Sequence, residues 1–132
     1  MKYLLDTNIC IGLLNNKDPI FMTNLKKLSP DEVFLCSIVK AELIFGAKKG
    51  LHREKNEKKL KIFFHEFECL PFDDQAAESY GEIRSYLEQS GNPIGNNDLL
   101  IAATAIAHDL HKYFCFCRSR ESRIAEEQSG GG

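Results

Sequence analysis

Near its amino terminus the sequence reads Tyr3-Leu4-Leu5-Asp6-Thr7-Asn8. Three apolar residues run directly into a carboxylate, and Thr7 and Asn8 are both residue types that cap the start of a helix. The stretch predicts a short buried strand that ends at Asp6 and is followed at once by a helix. Ligands of open parallel α/β sheets bind beyond the carboxyl ends of the strands. Asp6 is therefore a candidate site residue, although an acid that only caps a strand–helix turn would give the same pattern.

The alternation of strand and helix continues along the chain. Short apolar runs predict three further strands, at 33–36, 67–70 and 113–117. Helices are predicted at 9–14, 20–28, 37–50, 52–64 and 99–107, with a further amphipathic helix that begins at Asp73 and Asp74. This order indicates a parallel sheet in a three-layer α/β domain. We expect one domain over residues 1–124 and a flexible tail over 125–132.

Bulk composition is that of an ordinary globular domain. The 132 residues are 43% hydrophobic and 27% charged, and no apolar run approaches the length of about 18 residues needed to span a bilayer. The start of the chain lacks the features of a signal peptide. Five cysteines without a C-x-x-C pair indicate reduced thiols. The sequence therefore predicts a cytoplasmic protein that does not contact a membrane.

Charge is unevenly distributed, although the net charge is only −2. Residues 40–61 hold eight basic side chains and three acids, a local balance of +5, whereas residues 62–132 have a balance of −7. A basic stretch in a near-neutral chain could bind a polyanion locally. It could equally be the solvated, lysine-rich face of a helix.

Three acids stand at positions where burial would be costly without a compensating partner. Asp6 ends the first strand, Glu42 interrupts the apolar side of the helix after the second strand, and Asp98 lies at the start of an apolar helix. Carboxylates brought together repel one another unless a cation joins them. A hard divalent ion such as Mg²⁺ suits oxygen ligands and can polarise a phosphate and activate water. The three acids are therefore a candidate hydrolytic metal site.

Three blocks of the sequence, in this order, resemble the PIN-domain family, and within it the VapC-type toxins of bacterial type II toxin–antitoxin modules. The blocks are Leu4-Leu5-Asp6-Thr7-Asn8-Ile9-Cys10-Ile11, Ser37-Ile38-Val39-Lys40-Ala41-Glu42-Leu43-Ile44-Phe45-Gly46 and Ile94-Gly95-Asn96-Asn97-Asp98-Leu99-Leu100-Ile101-Ala102-Ala103. The segment 80–84 is also similar to the family, and the resemblance runs from Met1 to about Asp109.

The resemblance implies a PIN-like fold with a central parallel sheet of four to five strands, and a metal-dependent endoribonuclease. In the family, the acids that match Asp6 and Asp98 bind Mg²⁺, for which Mn²⁺ could substitute, and the acid that matches Glu42 completes the site. Thr7 matches a hydroxyl residue that supports the first acid, and we predict the same supporting role for Asn8. The implied partners are RNA, a second copy of the chain and a small VapB-type antitoxin. DNA would be contacted only through the antitoxin.

An acidic site repels phosphate, so RNA affinity must come from cations around it. We expect the basic stretch from Lys48 to Lys61 to lie near the acids and to hold RNA. The candidate RNA-binding residues are Lys48, Lys49, Arg53 and Arg84.

After Asp109 the resemblance ends. VapC-type chains continue with a Thr-x-Asn or Thr-x-Asp turn that supplies a fourth polar site residue, and the segment 111–120 offers no such turn. Glu121 is a weak substitute, and a fifth strand is not expected. An alternative function is therefore a degenerate PIN domain that folds and binds its antitoxin but is impaired in cleavage.

Two further alternatives stay open at this point. One is a zinc site, since the spacing of four residues near the carboxyl end is compatible with tetrahedral zinc. These residues are His108, His111, Cys115 and Cys117. The other is a nucleotide-binding domain of flavodoxin type, which the absence of a glycine-rich loop after the first strand disfavours.

Overall fold

Four parallel strands form the sheet in a computed structural model, which describes residues 2–15, 27–92, 95–108 and 114–115. In chain order the strands are β1 (Tyr3–Leu4), β2 (Val33–Cys36), β3 (Glu68–Leu70) and β4 (Phe114–Cys115). Their spatial order is β3-β2-β1-β4. The register pairs Tyr3 with Val33 on one side and with Phe114 on the other. The predicted sheet of four to five parallel strands is confirmed at four within the described residues.

Five described helices flank this sheet. They are α1 (Thr7–Leu14), α2 (Ser37–Lys49), α3 (Arg53–His65), α4 (Asp74–Gln89) and α5 (Asn96–Ala107). A short 3-10 turn, Pro30–Glu32, precedes β2 where a serine followed by a proline and two acids predicts a turn. The helix predicted at 20–28 and the tail predicted at 125–132 lie outside the described residues, apart from residues 27 and 28. None of the described helices is long and apolar enough to cross a membrane.

The core lies on the two central strands. All four residues of β2 are buried, as expected for a parallel strand that is covered on both faces. Leu4 and Leu5 are also fully buried. Leu60 and Phe63 of α3 and Ile101 of α5 join the same core cluster. Helix α5 is buried along much of its length, which confirms its predicted central position.

The sequence pattern predicts an apolar side of α2 that was wrong in part. The residues of this predicted side are Ile38, Ala41, Leu43, Ile44 and Ala47. Helix α2 buries Val39, Leu43 and Ala47, whereas Ala41 is exposed and Ile44 is 38% exposed. An α-helix has 3.6 residues per turn, so a segment rich in apolar residues can present more than one apolar face. The contact with α3 selects among these faces, and it depends on residues distant in sequence.

Helices α4 and α5 form a second cluster, in which Ile83 and Leu87 contact Leu99 and Ala103. Helix α4 begins at an N-cap, where the Asp73 carboxylate accepts a hydrogen bond of 3.0 Å from the Ala76 amide. It ends at Ser90, followed by Gly91 with a φ of 74°. Glycine enters this left-handed conformation without steric cost, so a sharp exit leads into the loop before α5.

The N-cap of α4 gives a testable stability prediction. Replacing Asp73 by Ala should lower the free energy of unfolding by about 1 kcal/mol, because the Ala76 amide loses its acceptor. Asp74 is the matched control, since it is an exposed acid in the first turn of the same helix. Asp74→Ala should cost only a few tenths of a kcal/mol, from its interaction with the helix dipole. Equal losses in urea denaturation of the two variants would contradict the assignment of Asp73 as the cap.

Candidate active site

Asp6 lies at the carboxyl edge of the sheet, one residue beyond the ladder between β1 and β2. The ladder extends to Leu5, whose amide donates to the Phe34 carbonyl over 3.0 Å. Asp6 then caps α1, and its Oδ1 accepts a hydrogen bond of 2.9 Å from the Ile9 amide. The residue is only 6% exposed, and its Oδ2 accepts no hydrogen bond from the described part of the chain. Asp6 is therefore a helix cap and also a buried carboxylate, and its role as a site residue stays a prediction.

Glu42 is tied to the same turn from the neighbouring strand–helix unit. The Thr7 hydroxyl donates to Glu42 Oε2 over 2.5 Å, a contact between residues 35 positions apart. Helix α2 follows β2 directly, so Glu42, in its second turn, stays near the sheet edge where α1 also begins. The hydroxyl of Thr7 was predicted to support the first acid. In the structure its hydrogen bond goes to Glu42, which brings that carboxylate beside the Asp6 turn.

Asp98 lies in the first turn of α5, as the sequence predicts, and is partly buried. A Cβ placed on Gly95, the N-cap residue, would be 3.6 Å from Asp98 Oδ2. The carboxylate therefore lies beside the N-cap residue at the start of its own helix, where the amide dipoles attract negative charge. Helix α2 contacts both α1 and α5, so the elements that carry the three acids adjoin one another.

The predicted three-carboxylate metal site stays a prediction. The described residues contain no group of three or more His, Cys, Asp or Glu side chains placed to hold a metal ion. The donor chemistry nevertheless suits a hard divalent ion, because Asp6, Glu42, Asp98 and Thr7 offer only oxygen atoms. Asn8 is exposed, and its predicted supporting role is likewise untested.

Two cysteine thiols lie close to the acids, whereas the sequence pattern indicated only that the cysteines are reduced. Cys10 and Cys36 are fully buried and free. Burial raises the pKa of the Cys10 thiol far above its ordinary value, and the nearby Asp6 carboxylate raises it further. Burial also raises the pKa of Cys36 to about 11. Both thiols therefore stay protonated and neutral, so they add no charge to an already acidic site.

The first three candidate RNA-binding residues already have partners on the hairpin of α2 and α3. Lys48 and Arg53 both contact Glu57 Oε1, each over 3.1 Å. The two cations hold the pKa of this carboxyl below its ordinary value. The Lys49 ammonium lies 5.3 Å from the centre of the Phe45 ring. The sequence pattern that predicted a run of available cations could not show that one acid neutralises two of them.

Arg84, the fourth candidate, is also engaged locally. On α4 its guanidinium donates to Glu88 over 3.0 Å and to the Tyr80 hydroxyl over 3.0 Å. Its predicted contact with RNA is untested and would compete with these two bonds.

One of the four residues of the alternative zinc site has another partner in the structure. The His108 Nε2 lies 2.9 Å from the Pro71 carbonyl oxygen and 3.8 Å from Asp73 Oδ2. His108 therefore links the end of α5 to the segment before α4. His111 and Cys117 lie outside the described residues, so the zinc hypothesis is not tested by them.

The sequence of this chain is similar to those of known proteins. Residues 3–112 match the PIN domain. The chain is 44% identical over 110 residues to ribonuclease VapC2 of Rickettsia felis, which covers 83% of this chain and 82% of that protein. It is 38% identical over 105 residues to the tRNA(fMet)-specific endonuclease VapC of Salmonella typhimurium, covering 80% and 79% of the two chains.

Solved structures agree with the sequence relatives. The crystal structure of VapBC2 from Rickettsia felis, bound to a DNA fragment from its promoter, superposes with a TM-score of 0.75 at 42% identity. The superposition covers 83% of each chain. This chain belongs to the PIN-domain family, and its relatives in that family are VapC ribonucleases. The flavodoxin-type alternative was therefore wrong.

Proposed function

We propose that this chain is a divalent-ion-dependent endoribonuclease, the toxin of a VapBC-type toxin–antitoxin pair. The observation that carries the proposal is the hydrogen bond from Thr7 to Glu42, which brings a second carboxylate to the turn that holds buried Asp6. Asp98 begins the adjoining helix α5. Relatives that share 44% and 38% of their aligned residues with this chain are named as ribonuclease and endonuclease, which supports an enzyme that acts on RNA.

Mg²⁺ would be held by Asp6 and Asp98, with Glu42 completing the ligand set, and Mn²⁺ could substitute. The bound ion supplies Lewis-acid polarisation of a phosphate oxygen and activates water for attack. The Ile9 amide fixes Oδ1 of Asp6 through a hydrogen bond, and Oδ2 would be the ligand atom. Thr7 orients Glu42 through its hydroxyl. Attack of water on phosphorus, with departure of the 3′-oxygen, leaves a 3′-hydroxyl on one product and a 5′-phosphate on the other.

Transfer RNA is the substrate class that we propose, because the Salmonella typhimurium relative is named tRNA(fMet)-specific. The partner that we propose is a VapB-type antitoxin, since the matching structure is a VapBC complex. We place the enzyme in the cytoplasm, where tRNA is found, and infer that it acts as a homodimer. DNA would then be contacted through the antitoxin alone.

The test is cleavage of tRNA by the purified chain, freed from its antitoxin, across a titration of Mg²⁺ and Mn²⁺. We expect weak but measurable cleavage that depends on the ion and stops with a chelator. The products should carry 5′-phosphate ends. Intact tRNA at every ion concentration, from a folded protein that still binds its antitoxin, would instead establish the impaired PIN domain. Cleavage that persists in chelator, or products with cyclic phosphate ends, would contradict the metal mechanism.

Thr7 offers a more selective prediction about the same turn. Replacing Thr7 by Val keeps the shape of the side chain and removes the donor to Glu42. A lost hydrogen bond to a charged acceptor is worth about 1.5 kcal/mol, which corresponds to about a tenfold lower kcat/KM. Thr7→Ser keeps the hydroxyl and should retain most of the activity. If the Val and Ser variants cleave equally well, Thr7 does not position Glu42.

A further inference from the structure

Helix α3 carries lysines that differ from the four candidates discussed above. Lys55, Lys58, Lys59 and Lys61 are exposed. None of them forms an ion pair with a carboxylate of the described residues, in contrast to Lys48 and Arg53, which share Glu57. The positive charge without an ion-pair partner is therefore concentrated on α3, within the predicted basic stretch 48–61 but downstream of Lys48, Lys49 and Arg53.

Three of these lysines lie on one face of the helix. Positions 55, 58, 59 and 62 are separated by three and four residues, so they form a single stripe along α3. We call Lys55, Lys58 and Lys59 the lysine stripe. Leu60 and Phe63 of the same helix are buried against the core, whereas Lys55, Lys58 and Lys59 are exposed to solvent. Ile62 completes this face and is 68% exposed.

We propose that the lysine stripe binds the phosphate backbone of the RNA substrate, at a point outside the cleavage site. The proposal rests on the ribonuclease function proposed above and names the surface that holds the substrate. The net charge of the chain is −2 and the candidate active site is acidic, so neither attracts a polyanion. Lys55 and Lys59 are one helical turn apart, about 6 Å along the axis, so their ammonium groups can contact different phosphates of one strand.

The chemistry of the stripe favours backbone contact without base recognition. Lysine ammonium groups act as point charges that suit phosphate oxygens. Base recognition in RNA uses aromatic platforms on which bases stack. The stripe has none, because Phe63 is buried and Phe64 is partly buried beside the Lys40 ammonium, 4.9 Å from its ring centre. The stripe should therefore raise affinity for any tRNA and leave the choice of cleavage site to other residues.

The test is a binding measurement that does not depend on catalysis. A fluorescently labelled tRNA transcript is titrated with the full chain in chelator, and anisotropy is recorded at several salt concentrations. The stripe variant is K55Q/K58Q/K59Q, and the variant compared with it is K48Q/K49Q/R53Q. Both variants remove three positive charges from the same hairpin, so they change the net charge equally. They differ in whether the charges already have local partners.

We expect the stripe variant to bind tRNA about 10- to 100-fold more weakly at low salt. The slope of log K against log salt should fall by about 2, because each phosphate contact contributes about 0.7 to 0.9. The K48Q/K49Q/R53Q variant should lose less affinity than the stripe variant, because Glu57 and the Phe45 ring already engage the cations that it removes. A second variant, I62K, extends the stripe at an exposed position and should strengthen binding severalfold.

Equal weakening by the two triple variants would overturn the proposal, because net charge alone would then account for the effect. An unchanged salt slope in the stripe variant would also overturn it, as would stripe-dependent binding of anionic lipid vesicles in preference to tRNA. Different outcomes contradict the proposed ribonuclease function. Binding of tRNA through the stripe without any cleavage would refute the ribonuclease function. Cleavage that does not need the stripe would refute only the proposed binding surface.

Discussion

Asp6→Asn should abolish divalent-ion-dependent cleavage of RNA, with a loss of about 10³-fold or more. A bound ion contributes several kcal/mol of stabilisation to the developing charge on phosphate, and each 1.36 kcal/mol is a factor of ten in rate. Asn presents a neutral amide in place of the carboxylate, so the ion loses a charged ligand at the site's most buried acid. Asp98→Asn should have a loss of similar size, since that carboxylate is the other proposed principal ligand.

The Asp6→Asn variant is informative because it should keep the fold. The amide oxygen of Asn can still accept the hydrogen bond from the Ile9 amide that caps α1. Removal of a buried negative charge near Glu42 also relieves repulsion, so stability in urea should be equal or slightly higher. Asp6→Ala removes the cap as well and should cost about 1 kcal/mol. Equal cleavage by the original chain and the folded Asn variant would show that Asp6 is a structural cap alone.

Leu35→Ala should lower the free energy of unfolding by about 3 kcal/mol, within the range of 2–5 kcal/mol typical of buried leucine truncations. Leu35 is fully buried on β2, a central strand with neighbours on both sides. The truncation leaves a cavity between the sheet and the helices that cover it, and this close-packed region can relax only in part.

Leu51→Ala is the matched control for this stability prediction. It makes the same chemical change at a residue that is 100% exposed, in the turn between α2 and α3. Its unfolding free energy should stay within about 0.5 kcal/mol of the original. Urea denaturation followed by circular dichroism compares the two variants directly. A loss below about 1 kcal/mol for Leu35→Ala would mean that β2 is not at the centre of the core.

Much of the fold could be predicted from the sequence because its signals are local. The apolar run 33–36 forms β2, Asp73 caps α4, and the apolar segment after Asp98 forms the buried helix α5. Each of these signals depends on residues within a few positions of one another. The positions of Asp6 and Asp98 follow equally, since an acid at the end of a strand or the start of a helix is placed by its neighbours.

Contacts between distant segments could not be predicted in the same way. The bond from Thr7 to Glu42 joins two strand–helix units, and the sharing of Glu57 by Lys48 and Arg53 depends on the geometry of a hairpin. The exposure of Ile44 depends on which side of α2 contacts α3. In each case the sequence gives the residue types, and the packing of separate elements decides which partners meet.

Calorimetric titration of the folded chain with Mn²⁺ tests most directly whether Asp6, Glu42 and Asp98 together hold one divalent ion, as we propose. We expect one ion to bind per chain, with binding lost in Asp6→Asn and Asp98→Asn and weakened in Glu42→Gln. Asp74→Asn, an exposed acid elsewhere on the chain, should bind as the original does. Undiminished binding of one ion by both the Asp6 and the Asp98 variants would contradict the claim, and so would no binding by the original chain.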